Sequence, residues 1–154
     1  MRGAEVAISA FFGHGFSARS TLSYTWGEGP RLGTVPREPL VVLTGNRIPL
    51  TRVPPLNGIF ELLWEHPVGL GLNAEIRWAA LQDRLSLADY KDADIPKYGT
   101  PGYTVLNVGA VYRLPNRLKV LFRIENLLDK PYRLHGSSVN GAGRNFILSV
   151  ECTF

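Results

Sequence analysis

Residues 104–125 read TVLNVGAVYRLPNRLKVLFRIE. The even-numbered side chains on either side of Pro115–Asn116 are Thr104, Leu106, Val108, Ala110, Tyr112 and Leu114, then Leu118, Val120, Phe122 and Ile124. None is charged, whereas Arg113, Lys119, Arg123 and Glu125 are all odd-numbered. A period of two puts alternate residues on opposite faces of a strand, so this stretch predicts a hairpin with one apolar face and one polar face. Proline and asparagine mark its turn.

The same period recurs along the chain and predicts seven strands, at 4–12, 18–26, 58–65, 70–80, 104–114, 118–125 and 146–154. In every window the even face is free of charge, and the charged residues Glu5, Arg19, Glu61, Glu65, Glu75, Arg77 and Glu151 again fall on odd positions. All 11 prolines lie outside these windows, as strands with neighbours on both sides require. Residues 74–88 also fit an amphipathic helix, with Ile76, Ala80, Leu81 and Leu85 near one face.

Strands of about 9–11 residues match a tilted crossing of a bilayer and exceed the common strand of a soluble domain. The turns at Gly13–His14, Pro67–Val68 and Pro115–Asn116 are tight, while 27–57, 81–103 and 126–145 are long loops. The predicted fold is therefore all-β: an antiparallel up-and-down transmembrane β-barrel segment with short periplasmic turns and long extracellular loops. Tyr24, Trp26, Trp78 and Phe146 would form an upper aromatic belt, and Phe12, Trp64, Tyr112 and Phe154 a lower one. A soluble ligand-binding barrel would share the alternation, because its even face would be its core. It would not require aromatic belts or long loops on one side only.

The composition is compatible with this reading. The 154 residues carry 17 Lys and Arg against 13 Asp and Glu, a net charge of +4, with 45% hydrophobic and 19% charged residues. That balance excludes a disordered chain and a nucleic-acid-binding arm. The 16 glycines and 11 prolines favour turns and strands. Cys152 is the single cysteine, so no intrachain disulfide is expected. No run approaches the roughly 18–20 apolar residues of a membrane helix. Arg2 and the apolar run Ala4–Phe12 imitate a secretory signal, but Glu5 interrupts the run and no cleavage site follows. Export would depend on a signal outside this chain.

Residues 124–148, IENLLDKPYRLHGSSVNGAGRNFIL, resemble the end of TonB-dependent outer-membrane receptors. There, a strand running into N-L-x-D-K-x-Y is followed by a loop, a Gly-Arg pair and a last strand ending in Phe. The matching residues are Asn126, Leu127, Asp129, Lys130, Tyr132, Gly143, Arg144 and Phe154. Resemblance continues upstream through LSYTWGEG (22–29), VPPLNG (53–58), AALQDRLS (79–86) and IPKYGTPGYTVLNVGAVYRL (95–114). It implies that residues 1–154 are the C-terminal portion of such a barrel, with the plug domain and N-terminal strands absent. It further implies an outer-membrane location and uptake of a scarce nutrient, such as an iron–siderophore, haem or cobalamin. The TonB complex would act through the missing N-terminal part.

Phe146, Leu148, Val150, Cys152 and Phe154 resemble the terminal signature read by the barrel-assembly machinery. Barrels of this kind have about 22 strands around a plugged lumen, so a small independent outer-membrane protein remains the alternative for seven strands. The final-hairpin motif also has a mechanical reading, in which Asn126 and Asp129 bond nearby backbone, Pro131 stops pairing, and Gly141 and Gly143 supply turns.

No catalytic or metal constellation is predicted, and no cofactor. His14 and His66 lie at turns and His135 in a long loop, so they do not converge. Ser137 and Ser138 near His135 lack an orienting carboxylate and a nucleophile elbow. The glycines at Gly99–Gly102 and Gly136–Gly143 precede no helix and form no phosphate loop. The inward charges are expected to pair with one another as a barrel wall. Tyr132, His135 and Arg144 are the candidate contacts to ligand or lipopolysaccharide.

Overall fold

The computed structural model describes residues 1–30, 47–115 and 117–153. Seven strands form one antiparallel sheet: β1 (Arg2–Gly13), β2 (Phe16–Trp26), β5 (Asn57–Glu65), β6 (Leu70–Ala79), β7 (Tyr103–Arg113), β8 (Leu118–Glu125) and β9 (Asn145–Cys152), in that order. Each expected strand is present with bounds shifted by at most two residues. Two further short strands, β3 (Glu28–Pro30) and β4 (Arg47–Pro49), pair with each other in the first long loop. Residues 74–88 do not form the alternative helix. They continue β6 to Ala79, because Ile76 and Trp78 alternate with Glu75 and Arg77 and both strand edges are paired. A helix, α1, comes later and is short (Leu87–Lys91).

Register preserves the two faces across the whole sheet. Every pairing sets an even-numbered residue opposite an even-numbered one, as in Val6–Leu22, Ala18–Leu62, Phe60–Ile76, Ala74–Val108, Ala110–Phe122 and Phe122–Leu148. The exception is the end of β1, where a bulge between Phe11 and Gly13 leads into the turn. A one-residue slip in any other pairing would have put charges on the apolar face.

The tight turns share one end of the sheet. His14 and Gly15 connect β1 to β2 with φ of 52° and 83°, the positive values that suit a two-residue hairpin to strand twist. The second turn is closed by Gly69 N donating to His66 O at 3.0 Å, followed by Gly69 at φ 88°. In the third turn Arg117 adopts φ 58°, and Leu114 N donates to Leu118 O at 2.8 Å. Asn116 and Phe154 lie outside the described residues.

The even face exposes Phe60, Leu62, Leu72, Ile76, Phe122 and Leu148. At the turn end Phe16 and Trp64 stand 6.1 Å apart, and at the loop end Tyr24 and Trp26 stand 6.5 Å apart. The odd face is polar and cross-linked. Glu75 accepts from Asn107 Nδ2 at 2.7 Å and pairs with Arg123 at 3.4 Å and Arg77 at 3.5 Å. Asn73 Nδ2 donates to Glu61 at 3.2 Å, and Lys119–Glu151 and Arg113–Glu65 pair at 3.1 and 3.5 Å. The exposed Lys119–Glu151 and Arg113–Glu65 pairs contribute about 0–1 kcal/mol each, so they orient the wall more than they stabilise it. Among the described residues no helix is long and apolar enough to cross a membrane; crossing by strands is a separate matter.

Candidate functional site

The long connections all leave the same end of the sheet, and residues from three of them interlock there. Ser86 begins α1 with a capping box: Asp89 N donates to Ser86 Oγ at 3.1 Å, and Ser86 N donates to Asp89 Oδ2 at 2.8 Å. This arrangement satisfies two amides that a helix start otherwise leaves free. The same carboxylate accepts from Thr51 Oγ1 at 2.6 Å and Arg52 N at 3.0 Å, tying the first loop to the second. Burial pushes the Asp89 carboxyl up, but the donors from Thr51, Ser86 and Arg52 outweigh it and hold the group below the usual carboxylate range.

Arg52 extends this junction. Its guanidinium donates to Asp92 Oδ2 from Nε at 3.2 Å and from a terminal nitrogen at 2.7 Å. That bond lowers the Asp92 carboxyl and raises the guanidinium. Gln82 Nε2 donates to Val53 O at 2.7 Å, while Gln82 and Thr100 exchange backbone bonds at 3.0 Å. Val53, Leu85 and Ile95 are buried around these polar groups.

The third loop begins at Asn126, which has φ 48° and is almost completely buried. Its backbone N donates to Asn107 Oδ1 at 2.8 Å; its side chain donates to Lys130 O at 2.8 Å and Ala142 O at 3.1 Å, and accepts from Lys130 N at 3.0 Å. Asp129 Oδ1 accepts from Arg144 N at 2.8 Å, and Arg144 Nε donates to Leu127 O at 2.9 Å. Gly143 fits against Asp129, where a Cβ would lie 2.9 Å from the carboxylate. The Tyr132 ring packs on Gly141 and stands 5.0 Å from Tyr103. Asn126, Leu127, Asp129, Lys130, Tyr132, Gly143 and Arg144 thus share one hydrogen-bonded loop base.

His135 occupies another part of this loop, with Nδ1 2.9 Å from Thr100 Oγ1. Gly136 packs on the Arg52 side chain. Burial pushes the imidazole pKa down. A cavity of about 210 Å³ opens beside it, lined by Pro55, Asn57, Tyr103, Arg133 and His135. Of the candidate contact residues, His135 borders this cavity, whereas Tyr132 and Arg144 make the contacts of the loop base. Phe146, Leu148, Val150 and Cys152 project from β9 as an exposed even row. Phe154 of that signature lies outside the described residues.

Several residues of the interlock escape a period-based reading: Thr51, Arg52, Gln82, Asp89 and Thr100. Only Ser86-x-x-Asp89 carries a local signal, the capping-box spacing. Arg52 and Thr100 become partners of the other loops through tertiary placement alone. Among the described residues no three His, Cys, Asp or Glu side chains are grouped to hold a metal ion.

The arrangement offers a polar wall, an apolar outer face and a small cavity between loops. The comparisons agree with that architecture. The family model described as TonB dependent receptor-like, beta-barrel, matches residues 1–127. No curated protein matches the sequence. Among solved structures the chain is similar to one titled "Copper transporter OprC", with a TM-score of 0.75 and 22% identity, over 96% of this chain and 22% of that one. The likeness to OprC is one of fold, and this chain spans about a fifth of OprC's length. On the family match, which extends over most of its residues, this chain belongs to the TonB-dependent receptor-like β-barrel family.

Proposed function

We propose that the chain is the C-terminal portion of the barrel of an outer-membrane transporter for TonB-dependent uptake of a scarce nutrient. The observation that carries this reading is the register, which keeps the even face free of charge on all seven strands apart from Arg2 at the start of β1, while the opposite face forms a polar network. Such a sheet suits lipid on one side and a hydrated lumen on the other. Among the described residues the first and last strands, β1 and β9, each pair on one side only, which suits continuation into a larger barrel.

In this reading the chain does no covalent chemistry. The loop-end cavity beside His135 takes part in ligand capture, and the odd face forms one sector of the lumen wall. The plug and its TonB contact belong to the N-terminal part of the protein. Phe146, Leu148, Val150, Cys152 and Phe154 are read by the barrel-assembly machinery. Tyr132, His135 and Arg144 face ligand or lipopolysaccharide at the outer mouth.

The test is uptake by cells with and without the gene region encoding this chain, each with an intact and a collapsed proton-motive force. Labelled iron–siderophore, haem and cobalamin form the panel, with copper added because of the structural neighbour. Energy-dependent uptake of one substrate that disappears with the chain supports the proposal. Equal uptake of all four in both strains contradicts it.

A further inference from the structure

The cavity beside His135 stands on one row of the odd face. Asn57 of β5 pairs with Ala79 of β6, and Ala79 with Tyr103 of β7, so these three side chains share one side of the sheet at its loop end. All three long loops close over the row: Pro54 and Pro55 come from the first, Thr100 and Pro101 from the second, and Arg133 and His135 from the third. These walls are held from behind. Asn57 Nδ2 donates to Pro55 O at 2.9 Å, Thr100 exchanges backbone bonds with Gln82 at 3.0 Å, and Arg133 Nε donates to Asn140 Oδ1 at 2.8 Å. Arg133 therefore leans on a neutral amide, whereas Arg52, Arg84 and Arg113 each pair with an acid. Among the described residues no acidic side chain lines the cavity. His135 Nε2, in the same wall, is buried without a hydrogen-bond partner among them.

From this enclosure we infer that the cavity binds an aromatic carboxylate, its ring against the prolines and Tyr103 and its carboxylate at Arg133. The inference rests on the role proposed for this cavity in ligand capture and adds the chemical class of the group captured. Volume sets the size of that group. A dry apolar cavity of about 150 Å³ holds benzene, so about 210 Å³ accommodates one ring with a small substituent. Charge sets the substituent, because a guanidinium with no acidic neighbour favours an anion and its planar N–H edge matches two carboxylate oxygens. The remaining walls favour a ring over a sugar: Pro54, Pro55, Pro101 and Leu134 are apolar, while the Asn57 amide and the Thr100 hydroxyl are already engaged with Pro55 O and His135. A compact anion such as phosphate would gain Arg133 but leave the apolar walls unfilled. The unpartnered His135 nitrogen marks a polar position in the wall that a ligand oxygen can satisfy once it reaches it. The group is a free aromatic acid or the aryl carboxylate arm of a larger ligand projecting from the cavity.

The test titrates the full chain in lipid nanodiscs with para-fluorobenzoate, followed by fluorine NMR, and compares it with para-fluorobenzamide, which has the same ring without the charge. The acid should bind about tenfold more tightly than the amide, the difference between a charge-assisted and a neutral hydrogen bond. R133Q should abolish that preference and R133K restore part of it. N140A breaks the same hydrogen bond as R133Q but keeps the cation; it should retain the preference, which separates loss of charge from loss of loop order. R117Q, at the opposite end of the sheet, should bind like the parent. Displacement of the probe by para-phenylbenzoate assigns the site to the arm of a larger ligand, and exclusion of that acid assigns it to a free aromatic acid; both support the site. Equal binding of acid and amide, equal loss in R117Q, or displacement by acetate at comparable concentration would each overturn it. Any of these in a chain that enters the nanodisc refutes the site alone, whereas a chain that enters no bilayer refutes the outer-membrane reading and the site together.

Discussion

In the sheet, Phe60 and Leu62 are 44% and 40% exposed; at the loop end, Val53 and Leu85 are 4% and 3% exposed. The same kinds of side chain are turned outward in one region and inward in the other. In the loop cap, burial of apolar groups from water and saturation of polar groups act together, as in a small soluble domain. In the sheet, neighbouring strands pair along most of their length while the apolar face awaits an apolar surrounding. The difference teaches that the solvent of each region, lipid or water, is encoded in which side chains its backbone turns outward.

The largest expected effect tests the sheet. Leu62→Arg places a charge on the even face near the middle of β5, whereas Leu63→Arg places it on the odd face one residue away. The first should destabilise folding into bilayers by about 2–4 kcal/mol, and the second much less, as read from urea titrations in lipid. Equal costs would break the assignment of faces.

Next comes the cap. Asp89→Ala leaves the donors of Thr51, Arg52 and Ser86 without their shared acceptor, and should cost the cap about 2–3 kcal/mol. Faster amide exchange and protease cleavage in residues 80–102 should follow, with the central strands unchanged. If the sheet loosened equally, the two regions would not be separable. Gly141→Ala should cost about 1–3 kcal/mol, because its new methyl group meets the Tyr132 ring; exchange at the amides of Lys130 and Arg144 reports the loss.

The smallest effect is set by pH. The folded His135 pKa is lowered below the ordinary 6.5 by burial, so the unfolded loop binds the proton first as pH falls. The neutral form's contribution is therefore fully present above 6.5 and declines from there toward the folded value. Amide exchange around Thr100 and His135 should accelerate in that window, and a His135→Phe variant should lose the step. Asp89 and Asp92, both lowered, add a second loss that begins as pH falls through about 3.8.

Period-two alternation made the strands legible because every second side chain meets the same surroundings. Asn126, Asp129 and Gly143 were legible as a group through resemblance and turn chemistry, and they meet in one hydrogen-bonded loop base. β3, β4 and α1 span three to five residues, too few to display a period. Two of the partners of Asp89, Arg52 and Thr51, lie 37 and 38 positions away, and nothing local to Thr51 or Arg52 announces that contact. The Trp26–Arg84 stack is equally non-local, joining a strand end to an irregular segment.

The central claim is that all seven strands share one lipid-facing side. Spin labels placed singly at positions 70–79, in a Cys152→Ser background and in bilayers, measure it directly through collision with oxygen and with a water-soluble nickel complex. Even positions should favour oxygen and odd positions nickel, alternating with a period of two. A period near 3.6, or equal access at neighbouring positions, would contradict the account.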